Sequence, residues 1–447
     1  MTPFGRGIMR ILGFPLLALV SLSFALSTTG SKLLVVLDPS INKEDYSIFF
    51  DDLIGRNFAI DFRTANDPHL SLFNYGERVY DHVILTLPPT QKALGPNLLA
   101  RPLLEFMSNG GNVLVMLNPK GHPLGSVREF ARELDMHLPF RDTKLVDHFH
   151  FDAETSPDRH DTVSLDPATS IVASHFLPKA TSKKIVYSGS AFAIGNNELL
   201  YPILRASDTA YVYDSAEEML SSDSPFVSGT QAYLVSGIQA RNNARAVIVA
   251  SSSMLSNEAF SAANSANREL AASITRWTFQ EFGVIKLTSV THRLVNSAEQ
   301  NPEIYRVKQN ITYEAEISEW INDKWVPFIA NDVQLEFTML DPYYRLTLTP
   351  VGPKGDSELY ATTFQAPDQH GMFTFHLNYK REGLSYVQDK RTVTLRHFGH
   401  NEFLRSFEIP NAYPYITSLV AVVVAWVIFT VLWVFSGADK VPEKKTK

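Results

Sequence analysis

Two imidazoles and two carboxylates crowd into one short stretch, Asp147, His148, His150 and Asp152, the densest grouping of possible metal ligands in the chain. Read as a strand, the stretch turns His148, His150 and Asp152 to one face, and two imidazoles with a carboxylate suit a divalent ion. The same His-x-His spacing is common on solvated strand faces, and no further ligand stands out to complete a set, so no metal is assigned. Asp38 is the second candidate, because it ends the apolar run LLVVLD from Leu33. The carboxyl ends of strands are where open α/β sheets bind ligands. Yet G-x-G-x-x-G, the P-loop pattern and G-x-S-x-G are all missing from the sequence. Nothing marks a dinucleotide, phosphate or acyl-enzyme site, and Asp38 reads as a strand-terminal cap or turn residue. The cysteine count of 0 removes any thiol nucleophile, thiolate metal site or redox couple. Trp320 and Trp325 flank Asn322-Asp323, a hairpin-like turn whose aromatic shoulders suit a sugar face or a partner protein, with cross-strand packing as the plainer role. The chemistry therefore yields no catalytic residue, no cofactor site and no metal site.

The elements around these residues alternate. LLVVLD reads as a strand buried on both faces; Asn42 caps a helix whose apolar stripe is Tyr46, Phe49, Phe50 and Leu53, and Gly55 stops it. Strands follow at Phe58–Phe62, Asp81–Leu87 (halted by Pro88-Pro89) and Asn112–Leu117, with a helix over Leu98–Met107. This rhythm implies right-handed βαβ crossovers and an open, parallel sheet. From Pro119 to Thr230 it loosens, with candidate strands at Thr162–Leu165 and Lys184–Tyr187 in a second lobe or long insertion. It resumes at Ala232–Val235 and Ala246–Ala250 and closes with a helix from Asn264 to Phe282. After Lys286 the period becomes two: Ile311, Tyr313, Ala315, Ile317; Val333, Leu335, Phe337, Met339; Phe373, Phe375, Leu377, Tyr379. Half-buried antiparallel strands at this spacing predict a small β-sandwich without an inter-sheet disulfide.

Both ends carry membrane signals. Ile416 to Phe435 is a run of 20 uncharged residues, enough to cross the ~30 Å hydrocarbon core. Tyr413 and Tyr415 stand at one end and Trp433 and Phe435 at the other, with Lys440, Lys444, Lys445 and Lys447 beyond them on the expected cytosolic side. At the other terminus, Arg6 and Arg10 precede an apolar run and the small residues Ala25, Ser27 and Thr28, the pattern of a secretory signal peptide. The expected division is a signal peptide over 1–28, an α/β region over 29–285 (as one lobe, or as 29–160 and 161–285), a β-sandwich over 286–410, a transmembrane helix over 413–435 and a tail over 436–447. Everything before the helix is then lumenal, and the single N-x-S/T sequon, Asn310-Ile311-Thr312, is a glycan acceptor. Within the helix Ser418, Ala421 and Ala425 share one side and suit close helix packing. A net charge of -7 gives no sign of a nucleic-acid partner.

Four stretches carry a likeness to a known family: LLVVLDPSINKEDYSIFFDDLIGRNFAIDFR at Leu33–Arg63, NYGERVYDHVILTLPP at Asn74–Pro89, NRELAASITRWTFQEFGVIK at Asn267–Lys286 and FQAPDQHGMFTFHLNYKREGLSYV at Phe364–Val387. In this order they resemble the forty-eight-kilodalton (β-type) subunit family of oligosaccharyltransferase, which moves dolichol-linked oligosaccharide onto asparagine. Lys444 and Lys445, fourth and third from the end, resemble that family's dilysine signal for return to the endoplasmic reticulum. The resemblance implies an amidotransferase-like, flavodoxin-like domain without an active site, and an accessory subunit needed for assembly and activity. It implies, as partners, a multi-spanning catalytic subunit and a ribophorin-II-like subunit, and no cofactor. The alternative is a free-standing, membrane-anchored lumenal hydrolase or glycan-binding receptor.

Overall fold

The computed structural model describes residues 27–37, 41–65, 67, 69–87, 94–119, 123–139, 143–153, 155–173, 175–177, 182–214, 225–399, 402 and 412–437. Asp38, the Pro88-Pro89 stop, most of the signal-like N-terminus and the terminal lysines lie outside them.

The first region is built on seven strands: β1 (Lys32–Val36), β2 (Ala59–Arg63), β3 (His82–Thr86), β4 (Asn112–Met116), β5 (Leu200–Arg205), β6 (Tyr233–Gln239) and β7 (Arg245–Val249). Their order is β5-β6-β7-β4-β3-β1-β2. The run from β2 to β7 is parallel, and β6 and β5 close the sheet antiparallel. Leu33 to Val36, Val83 to Leu85 and Val113 to Met116 are all at most 2% exposed, which is why these strands read as unbroken apolar runs. Helices α1 (Ser47–Gly55), α2 (Ala100–Ser108), α3 (Gly125–Glu133) and α4 (Asn267–Thr278) cover the sheet. α1 packs against α4, and α2 against α3. The β1-α1-β2 and β3-α2-β4 crossovers run in opposite directions along the sheet, so right-handedness puts the two pairs on opposite faces.

Three local expectations change. Asn42 does cap, accepting from the Glu44 amide at 3.3 Å, but the first turn is 3-10 before α1 begins. Gly55 belongs to α1, and Asn57 at φ 66° supplies the left-handed exit. The closing helix is shorter than the sequence suggests, because Ala266 and Phe279 bracket α4 and Gly283 (φ 67°) lies beyond it. The loose middle stretch forms three two-stranded ladders, Thr162–Leu165 with Ile185–Ser188, Met136–His137 with Ala193–Ile194, and Thr143–Val146 with Tyr211–Asp214. Their apolar residues join one hydrophobic cluster that runs from Leu33 to Phe279.

The second region is antiparallel apart from one short pairing. Its strands are β8 (Ile285–Leu294), β9 (Ile304–Arg306), β10 (Asn310–Ile321), β11 (Lys324–Pro327), β12 (Gln334–Thr338), β13 (Pro342–Thr347), β14 (Thr349–Lys354), β15 (Ser357–Gln365), β16 (Gly371–Tyr379) and β17 (Val387–Arg396). One sheet runs β8-β10-β15-β14 with β11 on β10, the other β9-β17-β16-β12-β13. Alternate residues turn inward to a core of their own, including Tyr313, Phe337, Phe373 and Phe375 at 0% exposure. Met339 departs from its predicted series: it lies past the end of β12, 37% exposed. Finally α5 (Tyr413–Phe435) is a helix of 23 residues, about 35 Å long at 1.5 Å per residue. None of it is buried, and it is long and apolar enough to cross a membrane.

Candidate functional site

His148, His150 and Asp152 are not on a strand. The Asp147 carboxylate accepts from the Phe149 amide at 2.9 Å and the His150 amide at 3.3 Å, folding residues 148–150 into a bend. Burial pushes the Asp147 carboxyl up, but donors from Ser207, Phe149, Thr209 and His150 outweigh it and hold the group below its ordinary value. The ring nitrogens then find separate partners. His148 meets His160 at 2.6 Å and Tyr211 at 3.0 Å, while His150 meets Asp147 at 3.1 Å. The Asp152 carboxylate accepts from Thr155. Among the described residues no group of three or more ligands converges. The cluster ties a loop.

The tryptophan turn is a hairpin. Trp320 faces Trp325 across β10 and β11, ring centroids 5.0 Å apart and 62° inclined. Asn322 (φ 48°) and Asp323 (φ 65°) form a two-residue connection with both central residues left-handed. Lys286 Nζ lies 3.8 Å over the Trp325 ring. The hairpin walls an open cleft of about 550 Å³ whose other side is Gly30, Lys32 and Asp81. Ser27, Thr28 and Ser31 add hydroxyls to its lining.

The most elaborate polar construction joins the two regions. Arg245, first residue of β7, is fully buried and donates to four acceptors. They are Gln239 Oε1 (3.0 Å), the carbonyls of Trp277 and Phe282 (2.8 Å each) and that of Gly283 (2.7 Å). Its guanidinium also lies 4.8 Å from the Trp277 ring, which rests on the sheet where Gly237 leaves no side chain. Burial pushes the Arg245 pKa down to about 9, still high enough to keep the charge at neutral pH. The β16–β17 turn docks beside it. Trp277 Nε1 donates to Gly383 O at 3.2 Å, Gln239 Nε2 to Leu384 O at 3.0 Å, and Asn243 exchanges bonds with Tyr386 at 2.6 and 3.1 Å. Gly283 and Gly383 meet with φ of 67° and 78°, and a Cβ on Gly283 would stand 2.1 Å from Gly383 O. A neutral His82 extends the network: Gly30 O at 3.1 Å fixes one ring nitrogen and Asn112 the other at 3.2 Å. Burial drops its pKa to about 3.

Sequence reasoning missed this joint. An arginine opening an apolar strand looks like a solvated flank, and three of its acceptors lie 32–38 residues away. None of the other expected residues belongs to this joint. Asn310 opens β10 with its side chain exposed, while Ser418, Ala421 and Ala425 lie on α5 with no part of the described chain covering them. Ser418 Oγ donates to Tyr415 O at 2.8 Å. The described site holds an interface together.

Comparison with known proteins gives this architecture a family. The family model for "OST48, N-terminal domain" matches residues 24–281, and that for "OST48 middle domain" matches residues 292–437. The dolichyl-diphosphooligosaccharide–protein glycosyltransferase subunit wbp1 of Schizosaccharomyces pombe is 36% identical over 95% of this chain and 96% of its own length. The corresponding WBP1 subunit of Saccharomyces cerevisiae is 33% identical over 93% of this chain and 94% of its own. The Danio rerio 48 kDa subunit is 33% identical over 94% and 96%. Among solved structures, the carbohydrate deacetylase Agd3 aligns over 61% of this chain and 37% of its own at 11% identity and a TM-score of 0.29, which carries no argument.

Proposed function

This chain belongs to the OST48 family, and on that premise we propose that it is an accessory, non-catalytic subunit of the oligosaccharyltransferase complex of the endoplasmic reticulum, which transfers lipid-linked oligosaccharide to asparagine of N-x-S/T sequons. The observation that carries the reading is identity of 31–36% over nearly the whole length of relatives that are named as subunits of that transferase. The contribution is positional. Two packed regions, an amidotransferase-like (flavodoxin-like) open sheet at 29–285 and a β-sandwich at 286–410, are held on the lumenal side by a single-pass helix at 413–435. The catalytic partner is a multi-spanning subunit, with a ribophorin-II-like subunit beside it. Asn310 carries a glycan, Lys444 and Lys445 return the protein to the reticulum, and Ser418, Ala421 and Ala425 form the face on which neighbouring helices pack.

One experiment separates this reading from a free-standing hydrolase or glycan receptor. Each variant is made the only copy in cells, and occupancy of a reporter glycoprotein and co-purification in mild detergent are measured. Ala421→Leu with Ala425→Leu stays apolar and inserts, yet weakens association and leaves sequons under-occupied. His148→Ala with His150→Ala leaves transfer near normal. A folded histidine variant that abolishes transfer, or a wild-type chain eluting alone, rules the reading out.

A further inference from the structure

The β region has two ends that differ in what they meet. One docks on the α/β region through the β16–β17 turn. The other releases the chain toward α5. β17 finishes there at Arg396, and Glu402 is held back at the same end by Arg306 through bonds of 2.6 and 2.7 Å. Only residues 403–412 separate that clamp from the first residue of α5. Ten residues reach at most ~36 Å.

An apolar turn stands at this same end. Thr338 pairs with Thr374 and Pro342, and Gly371 pairs with Leu395, so the Met339–Asp341 turn lies level with the exit of β17. Leu340 is 95% exposed, Met372 64%, Tyr343 46% and Met339 37%. Met339 Cε would lie 2.8 Å from a Cβ on Gly371, and Tyr343 packs edge-on to Phe373 at 6.0 Å, so both stand beside the residues that flank Met372 on β16. Strand spacing puts the turn about 15–20 Å across the sheet from Arg306. A single exposed leucine is ordinary on a protein surface, whereas a contiguous apolar tip at the tethered end is not.

We propose that the Met339–Tyr343 turn is a second membrane contact, with Leu340, Met339 and Met372 inserted into the interfacial layer of the bilayer that α5 crosses. The proposal rests on α5 being the membrane anchor. The contact is apolar, and two of the cations at this end already face carboxylates: Arg306 with Glu402, and Lys308 with Asp368 at 2.7 Å. Zwitterionic lipid therefore suffices. Asp341 sets the depth, since an ionised carboxylate stays among the headgroups while its neighbours sink. Tyr343 suits that boundary, where amphipathic rings gather. Two points of attachment fix the tilt of the β region, which one alone leaves free.

The natural chain has no cysteine, so Leu340→Cys, Ile321→Cys and Val424→Cys each create a unique labelling site. Ile321 lies in the tryptophan hairpin at the opposite end and Val424 in mid-anchor. Full-length protein in phosphatidylcholine nanodiscs, labelled with an environment-sensitive fluorophore, is titrated with acyl-chain-brominated lipid. We expect deep quenching at 424, shallow quenching at 340 about 5–10 Å below the phosphates, and none at 321, unchanged by high salt. A fluorophore at 340 as aqueous as that at 321, with 424 quenched, overturns the proposal and leaves the anchor standing. An unquenched 424 removes the anchor and the proposal with it. Shielding at 340 from aqueous iodide that arises only in the assembled complex, without bromolipid quenching, assigns the turn to a protein partner and likewise overturns it.

Discussion

The two folded regions bury their cores by different rules. In the α/β region whole strands vanish: Leu33, Leu34 and Val35 are consecutive and all at 0% exposure. In the β region burial alternates, with Ile311, Tyr313, Ala315 and Ile317 at 0% while Thr312, Glu314 and Glu316 between them reach solvent. A sheet with helices on both faces has no solvated face on which to put its polar groups, so they move to strand ends. His82, Asn112, Gln239 and Arg245 all stand at strand ends, near where the second region docks. The β region turns most of its polar strand residues to its own outer faces, buries a few such as His292, and lends the joint one turn.

That contrast makes Arg245 the sharpest place to break it. Arg245→Leu removes all four of its bonds, leaving Phe282 O and Gln239 Oε1 without that donor while Trp277 O and Gly283 O keep the amides of Gln280 and Ser385, and should cost about 3–5 kcal/mol, the scale of losing a buried charged network. The expected outcome is a split thermal transition, with the α/β region melting first and limited proteolysis cutting between residues 280 and 286. A single transition at the wild-type temperature contradicts the assignment.

Acid is the next largest perturbation and compares the regions within one molecule. His82 in the first has its pKa lowered to about 3 by burial, and His292 in the second to about 4, also by burial. Both are depressed below the ordinary value near 6.5, so the unfolded chain takes up protons first. Their stability is intact above about pH 6.5 and falls by up to about 1.4 kcal/mol per unit for each group as pH drops toward the folded value. His292 stops contributing near pH 4, and His82 goes on to about 3. Denaturant midpoints of His82→Phe and His292→Phe, measured against pH, should each flatten the slope of its own region. Unaltered slopes remove the histidines as its cause.

The smallest effect tests turn chemistry. Asp323 sits at φ 65° in a two-residue hairpin that favours glycine there, so Asp323→Gly should stabilise the β region by about 0.5–1 kcal/mol. Asn57→Ala should destabilise the first region by about 1 kcal/mol, because alanine lacks the local hydrogen bonding that makes φ 66° tolerable for asparagine. Calorimetry on both variants reads the pair of opposite signs.

Much of this was legible in the residues. The strands of the parallel sheet announce themselves because double-sided burial leaves a continuous apolar run, and α5 because no soluble surface explains 20 uncharged residues. The β region was legible through its period of two. Within Met136 to Asp214 only the strands at Thr162–Leu165 and, one residue displaced, Ile185–Ser188 were legible; the other strands, of two to six residues, carry too few positions for a period to appear. His148 and His150 misled because alternation counts only if the backbone is extended, and Asp147 bends it. Arg245 was illegible for another reason: its partners are backbone carbonyls, which every sequence has and none displays.

The docking turn has a consequence for how the chain is made. Trp277 leaves the ribosome with its indole donor bound for Gly383, 106 residues downstream. At translation rates of about 5–20 residues per second, that donor waits roughly 5–20 s. During this interval the Asn243 and Gln239 amides, which also await the turn, lie uncovered at the strand ends of a folded sheet. With no disulfide to hold the interval closed, the first region keeps these donors open until residue 386 has been synthesised.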